Sequence, residues 1–436
     1  MLQKLILNTS HIDQKINIEG LNNRFDRICI FDSNRQTNNN KNLFTSKIVA
    51  VGATEELIVN ETGTALKKLQ ELYDRKKGWL FGYLSYDLKN EIEELTSENS
   101  DHLNFPLLHF FSPKVVIQIE NEICSVFYDD DFISKAEAKE IYDLTVTSPN
   151  TVFKSTFKKI NIQSKITKQE YIDSVEQLKQ HIRNGDIYEI NFCKEYFANN
   201  TEINPAEIFE KLNAISQAPF AAYCKFGDHY LLCSSPERFL QKRENTLISQ
   251  PIKGTIKRSE NEQDDNKLKN ELRSNAKERS ENVMIVDLVR NDLSRIAERG
   301  TVKVEELFEI YSFRQVHQMI STVSCKLKKN VLFSDTIKAM FPMGSMTGAP
   351  KVSAMKLIEE LESTKRGLYS GAVGYIAPNG DFDFNVIIRS ILYNQENKYL
   401  SFMVGSAITN KSLAEQEYDE CLLKAKAMFD VLQSSF

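Results

Sequence analysis

Lys253 stands in Pro251-Ile252-Lys253-Gly254-Thr255, sixteen residues after Glu237 of Ser234-Ser235-Pro236-Glu237-Arg238-Phe239. Pro and Gly neighbours constrain the backbone of this lysine, and an amine held out of water in a pocket is a nucleophile capable of covalent chemistry. A glutamate brought near it could supply the proton that such chemistry needs. Residue types alone leave a plainer reading open, because most turn lysines are solvated charges.

Two acidic groups follow. Asn275-Ala276-Lys277-Glu278 has the form of a capping box that opens a helix, with Glu278 reaching back to a free amide. Glu278, Glu281, Ile285 and Leu288 then recur at helical spacing, so two carboxylates begin a stripe that ends in apolar side chains and faces inward. Burying carboxylates is costly without a compensating cation, which is a reason to expect Mg²⁺. The last helix repeats the device. Tyr418, Leu422, Ala425, Phe429 and Leu432 read as its core face, and Glu417, Glu420 and Lys424 form a stripe about 100° away that would line the rim of a cleft. As solvated helix faces, both acidic pairs would need no ion.

Phe341 to Met355 (FPMGSMTGAPKVSAM) is a third candidate. Gly344 and Gly348 loosen the backbone, Ser345 and Thr347 supply hydroxyls, and Pro350 suits the first position of a helix running to about Glu362. Free amides at such a start attract anions. The nucleotide-loop spacing is missing, since Val352 follows Lys351, so Thr347 and Gly348 suit a carboxylate better than a triphosphate. A structural turn is the other reading. Arg389 lies in the strand-like run Asp383 to Ile391, twenty residues after Tyr369, and is suited to pair with a carboxylate of a ligand or of the protein.

The elements that must position these groups are those of an ordinary globular enzyme. A chain of 436 residues, 41% hydrophobic and 26% charged, can bury one large core or two. Residues 1 to about 150 read as strands and hairpins, including Arg27 to Phe31 and a pair meeting near Asn121, with a polar surface loop at Gln36 to Asn42. The polar stretch Thr145 to Lys165 reads as a link between halves. A helix runs from Thr167 to Asn184, closed by Gly185, and strands follow at 186 to 198, 220 to 226, 229 to 234 and 246 to 249. No run is long and apolar enough for a membrane span, and the start lacks a secretory signal, so a cytoplasmic location is expected. A net charge of −5 argues against nucleic acid as partner. Seven scattered cysteines without Cys-x-x-Cys spacing predict neither disulfides nor zinc.

Taken together, SSPERF, PIKGT, KERSENVMIVDLVRNDLSR, FPMGSMTGAPKVSAM, RGLYSGAVGY and EYDECLLKAKA resemble the chorismate-utilising enzymes: the large subunits of anthranilate and aminodeoxychorismate synthases, and the isochorismate and salicylate synthases. The resemblance covers residues 165–436 strongly and 1–150 more weakly, chiefly at GWLFGYLSYD. It implies an α+β, four-layer sandwich of two face-to-face antiparallel β-sheets with helices outside and a chorismate cleft between the sheets. It implies Mg²⁺ held through Glu281 and Glu420, with Glu278 and Glu417 near the same ion, and a second carboxylate site at Tyr369, Arg389, Gly405 and Lys424.

Within the family, anthranilate synthases carry Ala where Lys253 stands, and PIKGT resembles the aminodeoxychorismate branch. The implied chemistry is attack of the Lys253 amine on C2 of chorismate while Glu237 protonates the departing C4 hydroxyl, after which ammonia enters at C4 and expels the lysine. For this the amine must be neutral, its pKa lowered from ~10.4 towards ~7–8. Isochorismate and salicylate synthases place a lysine base where this chain has Glu189. Gln318 replaces a family histidine, with His317 adjoining it, and Ser406 and Ala407 replace glycines, implying a narrower carboxylate pocket. No cysteine lies in a Gly-x-Cys-x-Gly elbow, so ammonia is expected from a separate glutamine amidotransferase subunit or from solution. The end at Phe436 is expected to leave the lyase step to another protein.

Overall fold

Strand burial follows a period of two. In Arg27–Asp32, Ile28 and Ile30 join one hydrophobic core and Cys29 joins the other, so this strand is covered on both faces. The computed structural model describes residues 2–8, 15–34, 46–120, 123–147, 160–314 and 316–433. Among them the named strands pair antiparallel in one continuous ladder that doubles over at Leu108–Glu120. The first part of that strand pairs with Leu80–Leu84 and the last part with Ile123–Asp129, while Ser46–Val59 runs along its length.

One leaf continues from Ser46–Val59 through Arg27–Asp32, Phe220–Phe226, His229–Ser235, Ser390–Asn394 and Tyr399–Ile408 to Glu189–Ala198. The other runs from Leu80–Leu84 through Ala372–Ile376, Phe382–Val386, Arg238–Arg243 and Thr246–Gln250 to Val316–Lys326. Val316–Lys326 also carries Ile252–Lys257 and Lys303–Ser312. The core between the leaves joins Ala222, Cys224 and Cys233 to Phe81, Phe239 and Phe384. Helices Lys168–Asn184, Pro205–Ser216 and Ala414–Gln433 cover the outside of the first leaf through Tyr171, Leu212 and Met428. Helices Ala65–Lys76, Ala276–Ile296 and Phe333–Met340 cover the second through Leu69, Val289 and Ile337. Helix, sheet, sheet, helix is the four-layer order expected.

The first 150 residues share these sheets with the rest. Arg27–Asp32 lies between Ser46–Val59 and Phe220–Phe226, and Leu80–Leu84 pairs with Ala372–Ile376. The polar run 36–42, the turn at Asn121 and most of the 145–165 stretch lie outside the described residues. The helix after Thr167 forms as expected, with Thr167 and Glu170 as a capping box and Gly185 in the left-handed conformation at its end. All seven cysteines are buried thiols. No helix among the described residues is long and apolar enough to cross a membrane.

Three local expectations change. The Asn275 side chain accepts from the amides of Lys277 and Glu278, but Glu278 does not complete the box and turns to the cleft instead. In Ala414–Gln433, Ala425 and Leu432 are buried and Tyr418 and Phe429 pack against the core as expected, but Leu422 is 39% exposed and the inward face also takes in Glu417, Cys421 and Met428. Small Cys421 and Ala425 let this helix lie close on Tyr399–Ile408, and the ~100° step per residue leaves Leu422, next to Cys421, outside. Arg389 is not in a strand; it sits at a bend with φ +53° between Phe382–Val386 and Ser390–Asn394.

Candidate active site

A cleft of about 1170 Å³ opens where the ends of the two leaves meet the acidic helix Ala276–Ile296 and the C-terminal helix Ala414–Gln433. Lys253 enters it from Ile252–Lys257, Glu237 from the turn before Arg238–Arg243, and Gly405 from Tyr399–Ile408. Glu278, Glu281, Tyr369, Arg389, Glu420 and Lys424 also line it. Glu417, Thr347 and Gly348 do not; they stand behind its wall.

The Lys253 ammonium lies 2.6 Å from Glu189 Oε1. Burial by itself would drive the amine towards neutrality, but the Glu189 carboxylate, helped by Glu281 and Glu237, outweighs it and holds Lys253 above the ordinary lysine range. The neutral amine expected from the sequence, with its pKa lowered, is therefore not the resting state; opposite charge wins over desolvation here. Glu237 behaves as expected of an acid. Burial pushes it up to about 7, against the lowering effects of the 2.6 Å hydrogen bond from Ser345 Oγ and of the Lys253 charge. It can thus carry a proton near neutrality and give it up.

The acidic helix and the C-terminal helix bring their glutamates towards one another across Lys277. Its ammonium is 3.0 Å from Glu417 Oε1 and 3.8 Å from Glu281 Oε1. Burial raises Glu281 to about 8, and burial with the Glu420 charge raises Glu278. Gly254, at φ +92°, makes room for Glu278: a Cβ there would lie 3.1 Å from Glu278 Oε2. Glu420 goes the other way, because Lys424 at 2.6 Å outweighs the upward push of its burial. Glu281 Oε1 and Glu417 Oε2 are buried and accept no hydrogen bond. Orphaned carboxylate oxygens beside two further glutamates are a donor set that fits a hard divalent cation. The Lys277 ammonium lies between Glu281 and Glu417 and bridges the two carboxylates.

At the second carboxylate position, Lys424 Nζ donates to the Gly405 carbonyl at 2.8 Å and Arg389 Nη1 to the Lys424 carbonyl at 3.4 Å. Arg389 makes no ion pair among the described residues, which leaves its guanidinium for a ligand acid. Tyr369 is buried, its hydroxyl accepting from Cys193 Sγ at 3.8 Å. Thr347 spends its hydroxyl on the Met343 carbonyl. Gly348 and Ala349 pair with Ile190 and Glu189, and a Cβ on Gly348 would lie 2.2 Å from the Glu189 carbonyl oxygen. Lys351, at the start of the helix Lys351–Leu361, is taken by Asp292 at 2.6 Å. The glycine-rich turn thus fixes the start of Glu189–Ala198 and sends Ser345 to Glu237, and neither Thr347 nor Gly348 is among the residues that line the cleft.

Ser406 is fully buried and bonded to the Tyr171 hydroxyl at 2.8 Å, so it turns away from the pocket; Ala407 lines it. Gln318 faces the cleft, whereas His317 points behind it to Asp265 at 3.0 Å and Ser312 at 2.8 Å. Two contacts of the site are not among those expected, the ion pairs of Lys277 and of Glu189 with Lys253. Lys277 was legible as the residue four before Glu281, an ion-pair spacing. The Glu189 pairing left no local signal, since 64 positions separate it from Lys253.

Comparison with known proteins places nearly the whole chain. The family model of chorismate binding enzymes matches residues 23–430. Anthranilate synthase component 1 of Acetivibrio thermocellus is 33% identical over 379 residues, 83% of this chain and 76% of that protein. Aminodeoxychorismate synthase component 1 of Bacillus subtilis is 33% identical over 368 residues, 82% of this chain and 78% of that protein. The crystal structure of anthranilate synthase component I from Streptococcus pneumoniae superposes with a TM-score of 0.78 at 27% identity, covering 88% of this chain and 92% of that one. The menaquinone-specific isochorismate synthase of Escherichia coli shares the fold, with a TM-score of 0.78 at 16% identity, over 99% of this chain and 95% of that one. With residues 23–430 matched by the family model and relatives 33% identical over more than four fifths of its length, the chain belongs to the chorismate binding enzyme family.

Proposed function

We propose that the chain converts chorismate and ammonia to 4-amino-4-deoxychorismate, the amination that leads towards 4-aminobenzoate and folate, in the cytoplasm. The observation that carries this reading is Lys253 and Glu237 facing one cleft, the lysine as nucleophile and the glutamate, raised to about 7, as proton donor. The Lys253 amine attacks C2, the ring double bonds shift, and the C4 hydroxyl leaves as water with the Glu237 proton. Ammonia then bonds to C4 and the C2–N bond breaks, returning the lysine. Arg389, Lys424 and the Gly405 backbone would hold one carboxylate of the substrate. Glu278, Glu281, Glu417 and Glu420 would hold Mg²⁺, which when bound supplies positive charge that fixes and neutralises the other carboxylate. Ammonia would come from a glutamine amidotransferase partner, as the component names of the relatives suggest.

A second reading, amination at C2 as in anthranilate synthases, is favoured by one observation: Lys253 rests as an ammonium paired with Glu189. Incubating the pure chain with chorismate, Mg²⁺ and an ammonium salt, then identifying the product by mass and chromatography, separates the two. The expected product is 4-amino-4-deoxychorismate, lost by at least about 100-fold in Lys253→Ala. Anthranilate with pyruvate from the unaltered chain would establish the rival.

A further inference from the structure

We infer that Glu189 is a positioning residue for Lys253, holding the amine at the cleft wall and accepting its proton as the amine attacks. The inference rests on the lysine mechanism proposed above and supplies what that mechanism lacks, a way to reach the neutral amine from a resting ammonium.

Glu189 opens the strand Glu189–Ala198, where its backbone is clamped by Gly348–Ala349 and by the Tyr188 amide donating to the Ala349 carbonyl at 2.7 Å. It is 1% exposed and does not line the cleft, so it acts on the ligand only through Lys253. One carboxylate oxygen sits 2.6 Å from Lys253 Nζ and the other is buried without a hydrogen-bond partner. The other charges facing the amine are Glu281 from the acidic helix and Glu237 from the turn before Arg238–Arg243, with Glu278 and Glu420 farther off. Among the described residues, Glu189 alone is within ion-pairing distance of it.

Glu237 cannot serve as this acceptor, because in the same step it must give its proton to the departing hydroxyl. When substrate fills the cleft and expels water, a dry ammonium–carboxylate pair loses solvation, and moving the proton along the existing hydrogen bond leaves a neutral amine and a neutral acid. The atoms balance. Glu189 takes one proton from Lys253, the amine bonds to C2, and water leaves with the Glu237 proton. When ammonia has displaced the lysine from C2, the freed amine regains its proton from Glu189. The new C4 ammonium returns one to Glu237.

Glu189→Gln keeps the shape and a hydrogen bond but cannot accept the proton. Expected at pH 8 is a fall in kcat of about 100-fold or more, with KM for chorismate within about threefold and a deficit relative to wild type that narrows above pH 9, where solvent deprotonates the lysine. Glu189→Asp, which retains an acceptor, should keep more activity than the glutamine variant. Wild-type kcat in Glu189→Gln, equal losses in the two variants, or a deficit that does not narrow at alkaline pH in chains that melt like wild type would overturn the inference. Product identity is read in the same runs. Anthranilate from the unaltered chain refutes the lysine mechanism and the inference with it, whereas 4-amino-4-deoxychorismate made at full rate by Glu189→Gln refutes the inference alone.

Discussion

Replacing Ser345 with alanine removes the hydroxyl that donates a 2.6 Å hydrogen bond to Glu237 Oε1. A hydrogen bond to a carboxylate favours its charged form, so in the native chain it opposes the burial that lifts Glu237 to about 7. Bonds to charged acceptors contribute about 1.5–3 kcal/mol, and one pKa unit corresponds to about 1.4 kcal/mol. Losing the bond should therefore raise Glu237 by ~1–2 units. Only the protonated acid can assist the leaving hydroxyl, so activity declines above this pKa. At pH 8 the protonated fraction rises from about one tenth to about one half or more on this shift. The assay is kcat across pH 6 to 9.5 with free ammonia held constant, and the expected result is a basic limb moved to higher pH in Ser345→Ala, whatever happens to the maximal rate. A limb that stays in place or moves down would refute the assignment of Glu237 as the acid or of Ser345 as the group that tunes it.

Stability should also depend on pH through the buried glutamates. Glu281 is raised to about 8 and Glu237 to about 7, above an unfolded value of ~4.3, so the folded chain keeps protons that the unfolded chain has lost. Their contribution is fullest below the unfolded value and is lost as pH rises through about 7 to 8; Tm in chelator should fall between pH 6 and 8.5, and a rise would contradict the burial argument. Mg²⁺ should raise Tm, more at pH 8.5 than at pH 6 because the ligands must be deprotonated, by a gain of about 2.7 kcal/mol at ~100 times its Kd. Glu281→Gln should abolish that gain, and an undiminished Mg²⁺ effect in the variant would remove Glu281 from the cation site.

Much of the site was legible because its chemistry is carried by short, ordered motifs. Lys253, Glu237, the Glu278–Glu281 pair, Arg389 and Lys424 converge on one cleft as their residue types suggest. What failed was information held only by long-range packing. The local sequence points to a desolvated amine at Lys253, and a strand from elsewhere in the chain delivers Glu189 to it. Ala425 and Leu432 of the last helix face inward as their spacing suggests, yet its contact with Tyr399–Ile408 also takes Glu417 and Cys421 inside and leaves Leu422 out. Thr347 and Gly348 resemble an anion-binding turn because helix starts attract anions, but their place behind the cleft wall, anchoring the neighbouring strand, carries no local signal. Arg389 has strand-like neighbours in sequence, although its positive φ is set by the bend that aims it into the cleft.

The central claim is that Lys253 bonds covalently to the substrate ring, and trapping that bond tests it most directly. The chain would be incubated with chorismate and Mg²⁺ without ammonia, quenched in acid, digested and mapped by mass spectrometry. The expected result is a dehydrated chorismate adduct on the peptide containing Lys253, absent from Lys253→Ala and strongly reduced in Glu237→Gln. An unmodified Lys253 in a chain that turns over chorismate and ammonia at full rate would contradict it.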